Sequence, residues 1–190
     1  MARFRRRAYT LIELLIVVAI LGISSVLLIP RLVDADTFSV QAAVRSVVAD
    51  ITYAQTDALA MQSIRRVQFL RDDDDRLHGY AILAPSDQAL YDGAFNPDTA
   101  EYLEHETAVD TGGWFIVDFD RDSRFSGVEI ESVDFNGRDW MAFDDLGGPL
   151  GAGGQPLVAG GEVRMRGQSG AYLIRLSGFT GKITVESLDD

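Results

Sequence analysis

Residues 3–30 read RFRRRAYTLIELLIVVAILGISSVLLIP, and this stretch decides how the rest of the chain is organised. Arginines at positions 3, 5, 6 and 7 stand directly before the apolar run 11–29, whose single ionisable residue is Glu13. A helix of these 19 residues would measure roughly 28 Å, close to the hydrocarbon thickness of a bilayer. We therefore predict a membrane-spanning helix. Because the basic residues stay on the cytoplasmic side, everything after Pro30 is expected to be exported.

Glu13 is an unusual residue for a plain membrane anchor. A carboxylate among lipid tails costs on the order of a few kcal/mol, so it needs a partner or access to the membrane surface. Spacing alone leaves two interpretations open. Glu13, near the start of the apolar run, can snorkel to the interface and have no further role, or it can pair with a positive charge.

The order of residues 5–18, RRRAYTLIELLIVV, strongly resembles the class III leader and N-terminal helix of type IV pilins and type II secretion pseudopilins. In that family a short basic leader is cut just before an aromatic residue, and a glutamate follows four positions later. The resemblance implies that a prepilin peptidase cuts between Ala8 and Tyr9, and that Tyr9 becomes the N-methylated first residue of the mature chain. Ala8 departs from the family, which usually has glycine there, and Pro30 resembles the family's kink-forming proline.

The same resemblance implies a role for Glu13 in assembly. In a filament, the new amine of Tyr9 in one subunit can reach the Glu13 carboxylate of its neighbour. Such a pair relieves the burial cost that each charge bears alone, and it fixes the axial register of the two helices. The implied partners are other pilin or pseudopilin subunits, the prepilin peptidase and an assembly platform in the inner membrane.

A Sec signal peptide and a simple membrane anchor are the alternatives for this segment. A secretory apolar region usually has about 7 to 15 residues, so the present run is long and carries an acid. Residues 33–35, Val-Asp-Ala, nevertheless offer a small-residue cleavage site before Asp36. Under this alternative the chain is an exported β-rich binding or enzymatic domain that keeps or loses an ordinary anchor.

Composition narrows the remaining classes. The chain has 190 residues, which fits one ordinary domain with an N-terminal appendage, and no cysteine, which excludes disulfides, thiolate metal sites and a cysteine nucleophile. Its formal net charge is −12; loss of the four leader arginines lowers the basic residues from 17 to 13 against 29 acidic ones, or −16. This balance argues against nucleic acid and anionic lipid surfaces as partners.

An amphipathic helix is predicted from residue 36 to about Met61. Asp34 or Asp36 could cap its start. Because Pro30 permits a kink rather than a break, the apolar and amphipathic segments can also form one long helix. Residues 43–61 additionally resemble the second half-helix of minor pseudopilins of the GspH/FimT type. The apolar residues at helical spacing are Val40, Val44, Val47, Val48, Ile51, Ala54, Ala58 and Leu59.

Short apolar runs separated by turn residues follow Gln62 and predict strands. The first two runs flank the charged stretch 71–76, RDDDDR, as in a β-hairpin with a charged tip, and the fourth slips in its alternation as at a bulge. The predicted strands are residues 67–70, 79–83, 114–119, 128–135, 139–143, 162–166, 171–176 and 182–187.

Two segments are predicted to lack regular structure. Residues 85–111 are polar and weakly periodic, so we expect a long surface excursion with at most one short element. Residues 147–161 contain seven glycines and two prolines and are expected to form a flexible loop with neither helix nor strand. The sequences FDDLGGPL, GEVRMRG and YLIRLSGFTGKITV, at 143–150, 161–167 and 172–185, also resemble the Gly-marked C-terminal end of the GspH/FimT family.

Candidates for catalysis are weak. His78 and His105 sit in neither a nucleophile nor a metal-ligand spacing, and residues 167–171, GQSGA, miss the GxSxG elbow. Acidic residues are abundant, but no pair is singled out as a glycosidase would require. We therefore predict a protein that is not an enzyme.

The best candidate for a metal site is an acidic loop. Asp118, Asp120, Asp122, Arg124, Ser126 and Glu129 occupy positions 1, 3, 5, 7, 9 and 12 of a calcium-loop template. Ser123 replaces the turn glycine, however, and the flanks look like strands, so the alternative is an acidic loop between two strands. No cofactor is predicted. Calcium at this loop is the one candidate, and the aspartates 72–75 are a weaker candidate site for it.

Together these patterns predict an α+β fold in which a long N-terminal helix, with a transmembrane half and an amphipathic half, packs on an antiparallel β-sheet domain. The expected parts are a leader at 1–8, a transmembrane and assembly helix at 9–30, an amphipathic helix at 31–62 and an exported β-rich domain at 63–190. The resemblance implies a minor pseudopilin or pilin-like subunit of the inner membrane, with its C-terminal domain in the periplasm or outside.

Overall fold

The computed structural model describes residues 10–87, 91–105 and 111–188, with the backbone alone for the helical residues 25–38. The chain divides into two compact units, of which the first ends at Ala35 and the second begins at Asp36. Helix α1, Leu11–Met61, runs through both units. The prediction that the apolar and amphipathic segments form one long helix is confirmed.

The predicted helix cap at Asp34 or Asp36 is wrong. The backbone is helical on both sides of these residues and continues through Pro30. A side chain can cap a helix only where the amides of a first turn are unpaired, and inside a continuous helix those amides are already bonded to carbonyls one turn earlier. The two aspartates therefore stand at interior positions of α1.

The second unit packs the later part of α1 on two antiparallel sheets, which confirms the predicted α+β class. The first sheet has the order β3-β2-β1-β5-β6 and the second the order β4-β7-β8-β9. The strands are β1 Arg65–Arg71, β2 Leu77–Leu83, β3 Ile116–Asp118, β4 Glu129–Asp134, β5 Trp140–Phe143, β6 Pro149–Leu150, β7 Gly161–Gly167, β8 Gly170–Leu176 and β9 Ile183–Ser187.

Every strand predicted from the sequence is present. The hairpin of β1 and β2 turns at the charged stretch, where the Asp72 carboxylate accepts hydrogen bonds from the amides of Asp74 (3.1 Å) and Arg76 (2.9 Å). The expected bulge lies in β4, where the pairing with β7 shifts between Ile130 and Ser132. Period-two alternation is visible without tertiary context, which explains this agreement.

The core lies between the inner face of α1 and the two sheets. Residues of α1 that recur every three or four positions are buried there. The ring of Phe69, on β1, stacks on that of Phe135, which directly follows β4, with 6.0 Å between the ring centroids. Phe135 lies so close to Gly161 that a Cβ added there would come within 1.9 Å of the ring. Leu59, predicted on the buried face, is instead 54% exposed, because Ala58 occupies the inward position of that turn.

The prediction that residues 85–111 form only a surface excursion is wrong at Tyr91. Its side chain is buried in a second apolar cluster with Trp140, Ala142 and Leu150. The guanidinium of Arg66, on β1, donates to the carbonyls of Tyr91 (3.0 Å) and Gly93 (2.8 Å) and so holds the segment in place. The sequence does not indicate this contact, because Tyr91 is a single buried residue within a polar segment.

Residues 147–161 also depart from the prediction, because they contain β6 and a short 3-10 helix, Ala152–Gly154. Pro149 is tolerated since β6 lies at an edge of its sheet, where one side of the strand needs no donor. Leu157 is fully buried. The glycines serve the turns here, as at Gly147 with its positive φ of 77°, and leave the segment ordered around these contacts.

Candidate processing and assembly site

The start of α1 is built by Thr10. Its hydroxyl oxygen Oγ1 accepts a hydrogen bond from the Glu13 amide (3.3 Å), and its carbonyl accepts from the amides of Glu13 (3.1 Å) and Leu14 (3.2 Å). This is the geometry of a helix N-cap, in which a short oxygen side chain satisfies an amide of the first turn. The helix consequently begins at Leu11.

Glu13 is thereby placed in the first turn of α1. A negative side chain is favourable there because the unpaired amides give the N-terminal end of a helix a partial positive charge. Thr10 was not among the residues predicted from the sequence, although the pattern Thr-x-x-Glu before an apolar run, at residues 10–13, is the signature of such a cap. Thr10 and Glu13 together fix where the helix starts and where the carboxylate lies on it.

The predicted cleavage site lies outside the described residues. Ala8 and Tyr9 both precede Thr10, the first residue whose position is described. Cleavage between them, methylation of Tyr9 and pairing of its amine with Glu13 therefore stay predictions.

The apolar side chains of the first unit are exposed over the part that the structure describes. From Leu11 (80%) to Ile23 (68%), every large apolar residue of α1 is at least half exposed. Within the residues described here, no helix combines the length and the apolar character needed to cross a membrane.

In the acidic loop that matched the calcium template, carboxylates form ion pairs with arginines. Asp120 receives a two-pronged contact from Arg76 (3.2 and 2.5 Å), which lowers the pKa of the Asp120 carboxyl. Asp122 likewise pairs with Arg124 (2.5 Å), and hydrogen bonds from that guanidinium lower the pKa of Asp122.

The two remaining acids of the template do not join them in one cluster. Asp118 lies 3.2 Å from the Nε of Arg121, and Glu129 projects outward from the start of β4. Across the described parts of the chain, no three acidic or histidine side chains converge in a group that could hold a metal ion. Ion pairs with arginine are what the geometry of this loop shows.

Each of the two histidines contacts a neighbouring side chain. The ring of His105 stands edge-on to that of Phe115, 4.6 Å between centroids. The Nδ1 of His78 lies 3.7 Å from an oxygen of Asp118. Ser169, the serine of the stretch 167–171, lies in the tight turn between β7 and β8.

Comparison with known proteins agrees with the N-terminal pattern. Residues 3–29 match the model of the prokaryotic N-terminal methylation motif, which confirms the resemblance predicted from residues 5–18. The crystal structure of the type IV minor pilin FimU of Pseudomonas aeruginosa (strain PAO1) is similar, with a TM-score of 0.45 and 15% identity over 77% of this chain and 87% of that chain. No curated protein sequence matches the chain.

Proposed function

We propose that this chain is a minor pilin-like subunit that a prepilin peptidase processes and that assembles through α1 into a type II secretion pseudopilus or a type IV pilus. The observation that carries the proposal is the methylation motif at residues 3–29, which includes the start of helix α1. The role is structural, and the subunit is proposed to work without a cofactor.

The proposal assigns three successive steps to the N-terminal stretch. The apolar run 11–29 first holds the subunit in the inner membrane, with the domain that follows it on the outer side. The peptidase then cuts between Ala8 and Tyr9 and the new amine of Tyr9 is methylated. Finally an assembly platform extracts the subunit and packs its helix against those of other subunits.

Glu13 supports the third step through its position. Its carboxylate stands in the first turn of the helix and four residues after Tyr9, so the Tyr9 amine of a neighbouring helix shifted axially by about one turn can meet it. Inside an apolar bundle either charge alone is costly, whereas the pair is neutral and favours a single register. Charge complementarity then becomes the signal that admits a subunit to the filament.

Mass spectrometry of the native protein tests the processing step. We expect a mature chain that begins at Tyr9 and carries one methyl group on its amine. Ala8→Glu is expected to abolish processing, because a large charged residue replaces the small one before the cut, whereas Ala2→Glu in the same leader is the matched control and is expected to be processed normally. An N-terminus at Met1 or Asp36 would contradict the proposal and favour an exported binding or enzymatic domain.

A second experiment tests assembly. Glu13→Gln is expected to leave membrane insertion and cleavage intact but to reduce strongly the co-purification of the subunit with partner pilins. Asp34→Asn, which removes another carboxylate from the same helix, is the control and is expected to assemble normally. Recovery of Glu13→Gln with its partners at the wild-type yield would refute the pairing mechanism for a repeating subunit; a subunit confined to the filament tip has no neighbour above it and depends less on Glu13.

A further inference from the structure

The strand edges of the two sheets differ in how well they are protected against pairing with another chain. In the first sheet, the edge strands are β3, with three residues, and β6, with two residues of which the first is Pro149. Very short strands and prolines are common means by which proteins prevent edge pairing. Neither edge offers a ladder that a further strand could continue.

The β4 edge of the second sheet is protected in another way. Its pairing is interrupted by the register shift between Ile130 and Ser132, and three of its six residues are acidic: Glu129, Glu131 and Asp134. It also lies beside β2 of the first sheet. A bulged, charged and partly covered strand is a poor template for strand addition.

The opposite edge, β9, is regular and open. Its five residues pair with β8 without a register shift. The Ser177 amide donates to the Lys182 carbonyl (2.9 Å), and the Leu188 amide donates to the Ala171 carbonyl (2.8 Å). Because hydrogen-bonded pairs alternate along an antiparallel ladder, the even-numbered residues between these points turn their backbone groups towards β8.

Ile183, Val185 and Ser187 consequently point their amides and carbonyls away from the sheet. Among the residues that the structure describes, no backbone partner pairs with these three on their outer side. All but Ile183 are exposed. The edge therefore presents a row of donors and acceptors spaced for one more antiparallel or parallel strand.

Side chains on the helix-facing side of β9 favour an apolar neighbour. Val185 pairs directly with Ile174, a core residue, and so shares its face of the sheet, yet 47% of Val185 is exposed. Phe179, in the turn before β9, is 92% exposed. An apolar side chain in an added strand would cover Val185 at the point where the core face ends.

Charges on the other face favour a basic neighbour. The Arg175 guanidinium, on β8, contacts Glu162 of β7 (2.9 Å) and Glu186 of β9 (2.5 Å). Acid, base and acid thus alternate across three strands, and the last acid stands at the open edge. A lysine or arginine in the next strand would continue this alternation, since opposite charges on neighbouring strands attract.

We propose that β9 is a docking edge for an extended segment of another protein, which adds to the sheet as a fifth strand through main-chain hydrogen bonds. The segment has an alternating pattern, with an apolar residue beside Val185 and a basic residue beside Glu186. A second copy of this chain fits less well, because it brings another Glu186 and a domain of the same strong negative charge to the edge. The proposal goes beyond the assembly role of α1 and does not depend on it.

The probe for this edge is a fluorescein-labelled heptapeptide with blocked ends and the sequence Thr-Val-Lys-Val-Lys-Val-Thr. Its binding to the full-length chain in detergent is followed by fluorescence anisotropy, with protein-free micelles as the blank. Saturable binding is expected, together with slower hydrogen exchange of the Val185 and Ser187 amides. A peptide of the same composition without the alternation, Thr-Val-Val-Val-Lys-Lys-Thr, is expected to bind more weakly.

The decisive variant is Val185→Pro, which removes an amide that faces outward and leaves the bonds between β8 and β9 intact. We expect it to weaken binding at least about tenfold, whereas Val185→Thr keeps the amide and should weaken it less. Glu186→Lys should reverse the charge preference, so that a peptide with glutamates in place of the lysines binds better. A version of the probe with N-methylated backbone amides must fail to bind, which tests the mechanism even if Val185→Pro does not fold.

The proposal is overturned if the probe does not bind saturably, if Val185→Pro or the N-methylated peptide binds as tightly as the original, or if the edge instead pairs two copies of the chain. The last case would appear as a concentration-dependent dimer that Val185→Pro abolishes. None of these outcomes bears on cleavage at Tyr9 or on assembly through Glu13, so the two proposals fail separately.

Discussion

Two parts of helix α1 carry apolar residues of the same kinds but place them in different surroundings. Between Leu11 and Ile23 the large apolar side chains are 50–80% exposed, whereas Val40, Val47 and Ile51 are at most 2% exposed. Apart from Glu13, the first part is apolar around its whole circumference, whereas the second carries exposed polar residues, among them Arg45, Thr52 and Thr56, on the side away from the core. The arrangement of apolar residues around a helix, rather than their number, therefore decides which environment each part requires.

Polar contacts also fasten the second part to the sheets. Asp57 and Arg65 form an ion pair with an N–O distance of 2.5 Å, and both side chains are nearly buried. The Gln55 amide donates to the Gly147 carbonyl (2.8 Å). These contacts hold this part of α1 in one orientation on the sheets.

The largest effect on stability is expected from a charge placed on the buried face of α1. Val47→Asp places an unpaired carboxylate at a position with no solvent exposure, so the second unit, the globular unit that begins at Asp36, should fail to fold. Val17→Asp in the first part is the matched control and should leave that unit folded. Tryptophan emission reports this directly in detergent, since both tryptophans, Trp114 and Trp140, lie among the strands. If the Val47→Asp variant folds, the proposed difference between the two parts of α1 is wrong.

Breaking the ion pair should have the next largest effect. Arg65→Ala leaves Asp57 nearly buried without its charge partner, and we expect a loss of about 3–5 kcal/mol in the free energy of unfolding. Arg164→Ala, at an exposed position of β7, is the control and should change it by less than about 0.5 kcal/mol. The double variant Arg65→Ala/Asp57→Ala should regain part of the loss. Equal stability of Arg65→Ala and the wild type in denaturant titrations would show that the contact is not energetically important.

Removal of a single methylene group should also affect stability differently in the two parts of α1. Ile51→Val on the buried face should cost about 1 kcal/mol, because the surrounding core cannot fully close the space. Ile16→Val, the same change in the exposed first part, should leave the unfolding of the globular unit unaltered. Tryptophan-detected denaturant titrations measure both. Equal losses in the two variants would mean that the first part also contributes to the stability of that unit.

The smallest effect concerns Asp50, which receives a hydrogen bond from the Ser46 hydroxyl (3.3 Å) and contacts the buried hydroxyl of Tyr80. Burial raises the pKa of Asp50 in the folded state, against the opposing hydrogen bonds. Its contribution to stability is therefore present at low pH and lost as the pH rises through the folded-state pKa. Asp50→Asn cannot ionise, so its stability relative to the wild type should rise as the pH increases above the ordinary pKa of an aspartate carboxyl. A relative stability that falls or stays constant would contradict the assigned pKa direction.

Much of the fold and part of the site could be predicted because their signals are local. The periodicities of residues 36–61 and of the apolar runs after Gln62 indicate a helix and strands without knowledge of what they pack against. The methylation motif is likewise contained in one short stretch. Thr10 carried a local signal as well, and its capping role could have been found from the Thr-x-x-Glu pattern.

The sequence by itself determined the long N-terminal helix, the strands and the prepilin-type motif, because each depends on residues that are close together in the chain. Only the tertiary structure decided that the strands divide into two sheets, that Tyr91 of a polar segment is buried against Trp140, and that β9 is an open edge while β4 is not. These features depend on contacts between residues far apart in the chain. A strand's own sequence does not reveal its neighbour, and a side chain is buried only when distant residues cover it.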